Sequence, residues 1–87
     1  MTFNKKLEKS EQKLYLISDR DNLVTVNGFL YKYEPFMSIY YLLIYLGFNT
    51  LLVLVDYNGS ILQKAEWKQV FLKQGDQIEI ITLAGGG

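Results

Sequence analysis

From Phe36 to Val55 the chain runs for twenty residues without a charged side chain. By length alone such a stretch is enough to cross a bilayer, which takes about 20 apolar residues. Its interior argues for a different partition. Gly47, Asn49 and Thr50 sit together near its middle, where a helix-forming pattern stops and a β-rich one starts. No basic cluster flanks the run to orient a span, only Lys32 before it and Lys64 after it. The membrane span is therefore the competing reading, and a helix followed by a strand is the leading one. Ile39, Leu42, Leu43 and Leu46 fall at i, i+3, i+4 and i+7, the spacing of one helix face. Ser38 is placed to cap its start and Gly47 to end it. Tyr40, Tyr41, Ile44 and Tyr45 make the other side, which is expected to pack in part. The apolar run 51–56 fits a strand buried on both faces.

The elements on either side narrow the architecture. Two β-rich runs flank Asn27-Gly28, a strong hairpin signal because a type I′ turn needs positive φ at both central residues. Pro35, which has no amide hydrogen to donate, then ends the ladder. Asn58-Gly59 marks a second turn, residues 64–68 read as a short helical turn, and Gly75-Asp76 precedes a last strand over 77–84. The order is hairpin, helix, strand, short connection, strand and tail. The simplest way to close it is one main helix packed across a mixed sheet of about four or five strands, an α+β fold of the β-grasp, ubiquitin-like type. With 87 residues there is room for one small domain, here 23–84. A charged extension over 1–22, expected to be solvated and partly disordered, precedes it. Its segment 14–17 reads as an added strand or a tether. A flexible glycine tail, 85–87, follows.

Composition removes several functions. Without cysteine there is no disulfide framework, thiolate zinc site or thiol nucleophile, and without histidine the usual general base near neutral pH is missing. Nine basic and nine acidic residues cancel, leaving no basic footprint for nucleic acid. Asp56, Glu66, Asp76 and Glu79 read as solvated turn carboxylates rather than metal ligands, and Trp67 reads as core. No apolar h-region of a secretory signal is recognisable, so a cytoplasmic or plastid-stromal location is expected. The chain is not expected to be an enzyme.

The chemistry then concentrates at Gly85, Gly86 and Gly87, directly after the last strand. Glycine lacks Cβ, so such a tail fits a narrow channel and leaves its terminal carboxyl sterically open. The chemical reading is a carrier whose working group is its own carboxylate; a frayed terminus is the plain alternative. Ile81 departs from the alternation set by Ile78 and Ile80. It marks either a bulge or, with Leu83, a partner interface beside the tail.

Val26-Asn27-Gly28, Lys64-Ala65-Glu66-Trp67, the stretch Lys73-Gln74-Gly75-Asp76-Gln77-Ile78-Glu79-Ile80-Ile81 and the terminal Ala84-Gly85-Gly86-Gly87 together resemble the ThiS family. These are sulfur carriers of thiamine thiazole biosynthesis, relatives of the MoaD carriers and of ubiquitin. The resemblance covers 23–87. It departs in the long extension and at 62–64, where Leu62-Gln63-Lys64 replaces a segment that often holds proline and arginine. No proline follows Pro35, unlike the proline-containing lead into the tail of MoaD-type carriers.

The resemblance implies that a ThiF-type adenylating enzyme, using ATP and Mg²⁺, activates the Gly87 carboxylate while Gly85 and Gly86 thread its channel. A persulfide donor of the cysteine desulfurase type then yields a thiocarboxylate on Gly87, and thiazole synthase takes the sulfur. The carrier itself would hold no cofactor or metal. Alternatives are a MoaD-type carrier for molybdopterin synthesis, a ubiquitin-like protein modifier and a noncatalytic interaction module.

Overall fold

The computed structural model of the chain describes residues 6–9 and 22–83. Asn27 and Gly28 take φ of 52° and 84°, as a type I′ turn requires, and join β1 (Leu23–Val26) to β2 (Phe29–Lys32). Asn58 and Gly59 do the same, at 53° and 95°, between β3 (Val53–Tyr57) and β4 (Ser60–Ile61). Both turns therefore use an Asn-Gly pair for the same reason.

The helix α1 (Ile39–Leu46) is capped at both ends as its flanking residues dictate. Ser38 Oγ accepts the Tyr41 amide at 3.1 Å. At the other end Gly47, with φ of 85°, donates to the Ile44 carbonyl at 3.1 Å, and Phe48 donates to that of Leu43 at 3.0 Å. This is a Schellman closure, and it turns Phe48 back onto the core. Eight residues make too short a helix to stand alone in water. Packing holds it: Ile39, Leu42 and Leu43 are fully buried, each worth about 1.5–3 kcal/mol.

They pack against a five-stranded sheet of order β2-β1-β5-β3-β4, where β5 spans Gln77–Thr82. β5 runs parallel to β1 and antiparallel to β3, and the two hairpins are antiparallel. The expected α+β β-grasp arrangement is thus the one that forms, with its last strand at the centre. Val24, Val26, Val53, Val55, Ile78 and Ile80 face the helix. Trp67, following a 3₁₀ turn at Lys64–Glu66, closes the edge of this core and donates its indole N–H to the Leu62 carbonyl at 3.2 Å.

Two expectations change. The run 51–56 is not a strand buried on both faces: pairing starts at Val53, and only Val53 and Val55 face the core, while Leu54 is 42% exposed. The reason is that the one main helix lies on a single face of the sheet. The tyrosine side of α1 packs in part, as expected. Tyr40 is partly covered, but Tyr41 and Ile44 are 57% and 50% exposed, because the helix has one sheet to lie on. In the extension, Lys6 bridges Tyr31 and the Leu7 amide donates to the Leu30 carbonyl at 3.3 Å, so Leu7 is buried rather than solvated. The segment 14–17 lies outside the described residues. Among the described residues no helix is long and apolar enough to cross a membrane.

Candidate functional site: the tail end of the central strand

β5 delivers the chain to its tail, and its register decides what stands beside it. Opposite β3 the pairing is one-to-one from Tyr57↔Ile78 to Val53↔Thr82, and the Leu83 amide continues it to the Leu52 carbonyl at 2.7 Å. No bulge interrupts it. Ile81 therefore leaves the hydrophobic alternation because it points to the sheet face opposite the helix, where it pairs with Leu54. Leu83 follows on that same face by the two-residue period. Ile81 and Leu83 are 45% and 42% exposed, so with Leu54 they form an open apolar patch at the end of the last strand.

Two carboxylates bound this patch. Asp56 lies directly opposite Glu79 in the next outward-facing row. Like charges in such a cross-strand pair repel, and the pair contributes nothing to holding the sheet together. Asp56 offsets part of this by accepting the Gly59 amide at 2.9 Å in the β3–β4 turn. The expected tail residues Gly85, Gly86 and Gly87 lie outside the described residues. Gly87 is four residues beyond Leu83, a reach of about 13 Å when extended.

The opposite end of β5 is anchored by Asp76, and here the expectation of a solvated turn carboxylate fails. Asp76 is 4% exposed. Its carboxylate accepts the Tyr57 hydroxyl and the Lys73 amide, both at 2.8 Å, and the Asn58 amide at 3.1 Å. Asn58 in turn accepts the Gln77 amide at 2.7 Å, and Gly75, at φ 86°, donates to the Leu23 carbonyl. Residues 73–76 thus tie the start of β5 both to β1 and to the β3–β4 turn. Burial pushes the Tyr57 phenol up; the ammonium of Lys73, donating to it at 2.7 Å, opposes this, and Asp76 adds to it. The same contact with Tyr57 raises Lys73, helped by the Asp76 charge. A second tie sits at mid-strand, where Asn27 accepts the Ile80 amide at 2.6 Å and donates its own amide to the Ile78 carbonyl.

Sequence reasoning placed Ile81 and Leu83 at the patch but missed Leu54, although its alternation with Val53 and Val55 carried the signal. Nothing in the pattern revealed that Asp76 is buried, since that depends on Tyr57 and Asn58 from another element. Among the described residues no group of acidic side chains is arranged to hold a metal ion.

Comparison with known proteins gives this geometry its relatives. The model of the ThiS family matches residues 24–87. The chain is 36% identical over 62 residues to the uncharacterized protein ycf40 of Trieres chinensis, covering 71% of this chain and 85% of that protein. It is 30% identical over 64 residues to the ycf40 protein of Porphyra purpurea, covering 74% and 90%. Among solved structures, the crystal structure of the thiamine biosynthesis protein ThiS from Geobacter metallireducens superposes with a TM-score of 0.64. The identity is 28%, over 75% of this chain and 99% of that one. The family match runs from within β1 to the end of the chain, across the positions of the Asp76 anchor, the apolar patch and the glycine tail: this chain belongs to the ThiS family of sulfur carriers.

Proposed function

We infer that the chain carries sulfur for thiazole formation in thiamine biosynthesis as a thiocarboxylate on Gly87. The observation that carries this reading is the open apolar patch of Leu54, Ile81 and Leu83 at the point where the central strand gives way to Gly85, Gly86 and Gly87. A docked partner gripping that patch would have the tail within reach of its own active site. The carboxylates of Asp56 and Glu79 beside the patch call for a partner surface that is apolar at its centre and basic along one border.

A carboxylate is a poor electrophile, and activation supplies the missing leaving group. An adenylating enzyme of the ThiF type joins the Gly87 carboxylate to the α-phosphorus of ATP, with Mg²⁺ on the phosphates, and releases pyrophosphate. The terminal sulfur of a persulfide, supplied by a cysteine desulfurase type of donor, attacks the acyl carbon and AMP departs. A thiol then attacks the donor-side sulfur of the acyl disulfide. That sulfur-sulfur bond breaks, a new disulfide forms, and the thiocarboxylate remains on Gly87. Thiazole synthase accepts the sulfur and the carboxylate is regenerated. Throughout, this chain is a cosubstrate: none of its side chains serves as acid or base. The compartment proposed is one where these partners meet, the cytoplasm or the plastid stroma.

The pathway is tested by offering the purified thiocarboxylated chain in parallel to thiazole synthase with its substrates and to the catalytic subunit of molybdopterin synthase. Thiazole formation with return of the carboxylate supports the reading. Sulfur transfer only to the molybdopterin precursor would assign the carrier to the other pathway.

A further inference from the structure

The helix side of the molecule carries a feature that sulfur transfer at the tail does not use. α1 contains no charged residue, and its outward side is left open at Tyr41 and Ile44. Tyr40 joins this strip to a neighbouring groove of about 370 Å³, whose apolar wall includes Leu51, 76% exposed just before β3. The groove is lined by two lysines, Lys64 and Lys68, and by no carboxylate. Lys68 Nζ stands 4.7 Å from the centre of the Tyr40 ring. Neither lysine pairs with a carboxylate among the described residues. The sheet separates this surface from Leu54, Ile81 and Leu83, which lie on the opposite face.

We propose that this groove is a second docking surface, for a partner segment bearing apolar anchor side chains flanked by carboxylates. Charge complementarity selects that occupant. One apolar anchor would fill the groove between Tyr40 and Leu51, a second would lie on the adjoining strip at Ile44, and carboxylates beside them would meet Lys64 and Lys68, the charged residues that line the groove. Two copies meeting by this same face are the poorer fit, since each would bring lysines and no carboxylate from the groove. Because the two docking faces lie on opposite sides of the sheet, the segment and an activating enzyme at the tail would bind together. The groove would then hold the carrier near its partners while its carboxyl group is exchanged.

The test uses the full chain and two fluorescent helical peptides, each with three leucines on one face, flanked by glutamates in one and by lysines in the other. The glutamate peptide is expected to bind, to shift the amide resonances of Tyr41, Ile44 and Lys68, and to weaken as salt rises. The Lys64→Glu/Lys68→Glu variant should bind it roughly three- to tenfold more weakly, the range expected of two rim charges. Ile44→Asp should abolish binding yet leave adenylation of the tail unchanged. Equal binding of both peptides, absence of binding, or resonance shifts at Ile81 and Leu83 instead would overturn the proposal. So would sedimentation showing self-association that Ile44→Asp abolishes, since that would make the occupant a second copy.

Discussion

Replacing Asp76 by alanine removes one buried acceptor and leaves three donors facing its vacated position: the Tyr57 hydroxyl, the Asn58 amide and the Lys73 backbone N–H. Hydrogen bonds to a charged group each contribute about 1.5–3 kcal/mol. The three losses do not simply add, because Tyr57 and Asn58 are incompletely buried and water replaces part of what they lose. A net destabilisation of about 2–4 kcal/mol is expected, or roughly 10–25 °C in melting temperature for a domain of this size. Asp76→Asn separates charge from shape. The new amide keeps one acceptor for Tyr57 and Lys73 but turns an NH₂ toward the Asn58 NH₂. Asn58 resists flipping because its oxygen already accepts the Gln77 amide. The asparagine variant should therefore cost less than alanine, about 1–2 kcal/mol, but not be neutral. Urea and thermal unfolding, followed by fluorescence of the buried Trp67, measure both. Alanine within about 0.5 kcal/mol of the parent, the range of an ordinary surface change, would refute the anchor role of Asp76. An asparagine variant fully as stable as the parent would refute the donor clash.

Folding raises the Tyr57 pKa, so the folded chain holds the phenolic proton more tightly than the unfolded one. That contribution is complete below the ordinary tyrosine value of 10.0 and is lost as pH climbs through the raised folded value. Stability should fall across that window, and Tyr57→Phe should flatten the fall; melts at stepped pH would show an unchanged slope if the phenol has no part in it. Ile81→Asp removes the contact with Leu54 and adds a third carboxylate beside Asp56 and Glu79, so unfolding should become easier by about 1–2 kcal/mol while the chain still folds. The rate of adenylation at limiting activating enzyme should drop by an order of magnitude or more; an unaltered rate would remove the patch from the docking surface. Gly86→Val widens the tail, and the fold should melt as before while thiocarboxylate yield collapses. Normal yield would mean that no narrow channel receives the tail.

Much of the fold was legible because local chemistry and global pattern agree. Asn27-Gly28 and Asn58-Gly59 fix two hairpins by their backbone angles, and Ser38 and Gly47 mark the ends of a helix whose buried face follows a simple period. The misreading of 51–56 has a simple physical cause. A continuous apolar run such as 51–56 signals burial without saying how many layers will cover it. Here a single helix layer leaves Leu54 and Ile81 open on one side of the sheet, and Tyr41 and Ile44 open on the other. Periodicity alone also could not see Asp76, whose burial is made by Tyr57 and Asn58 some eighteen residues away. The candidate site was legible at Ile81, where a hydrophobic residue breaks an alternating strand without breaking the ladder. Its pairing with Leu54 needed the register.

The central claim is that Gly87 carries sulfur. Intact-protein mass spectrometry after incubation with ATP, Mg²⁺, a ThiF-type adenylating enzyme and a persulfide donor tests it most directly. The account predicts a mass gain equal to the exchange of one oxygen for sulfur, located by fragmentation at Gly87 and dependent on ATP. An unchanged mass from a folded chain and an activating enzyme competent on its own carrier would contradict it, as would a thiocarboxylate formed at any other residue.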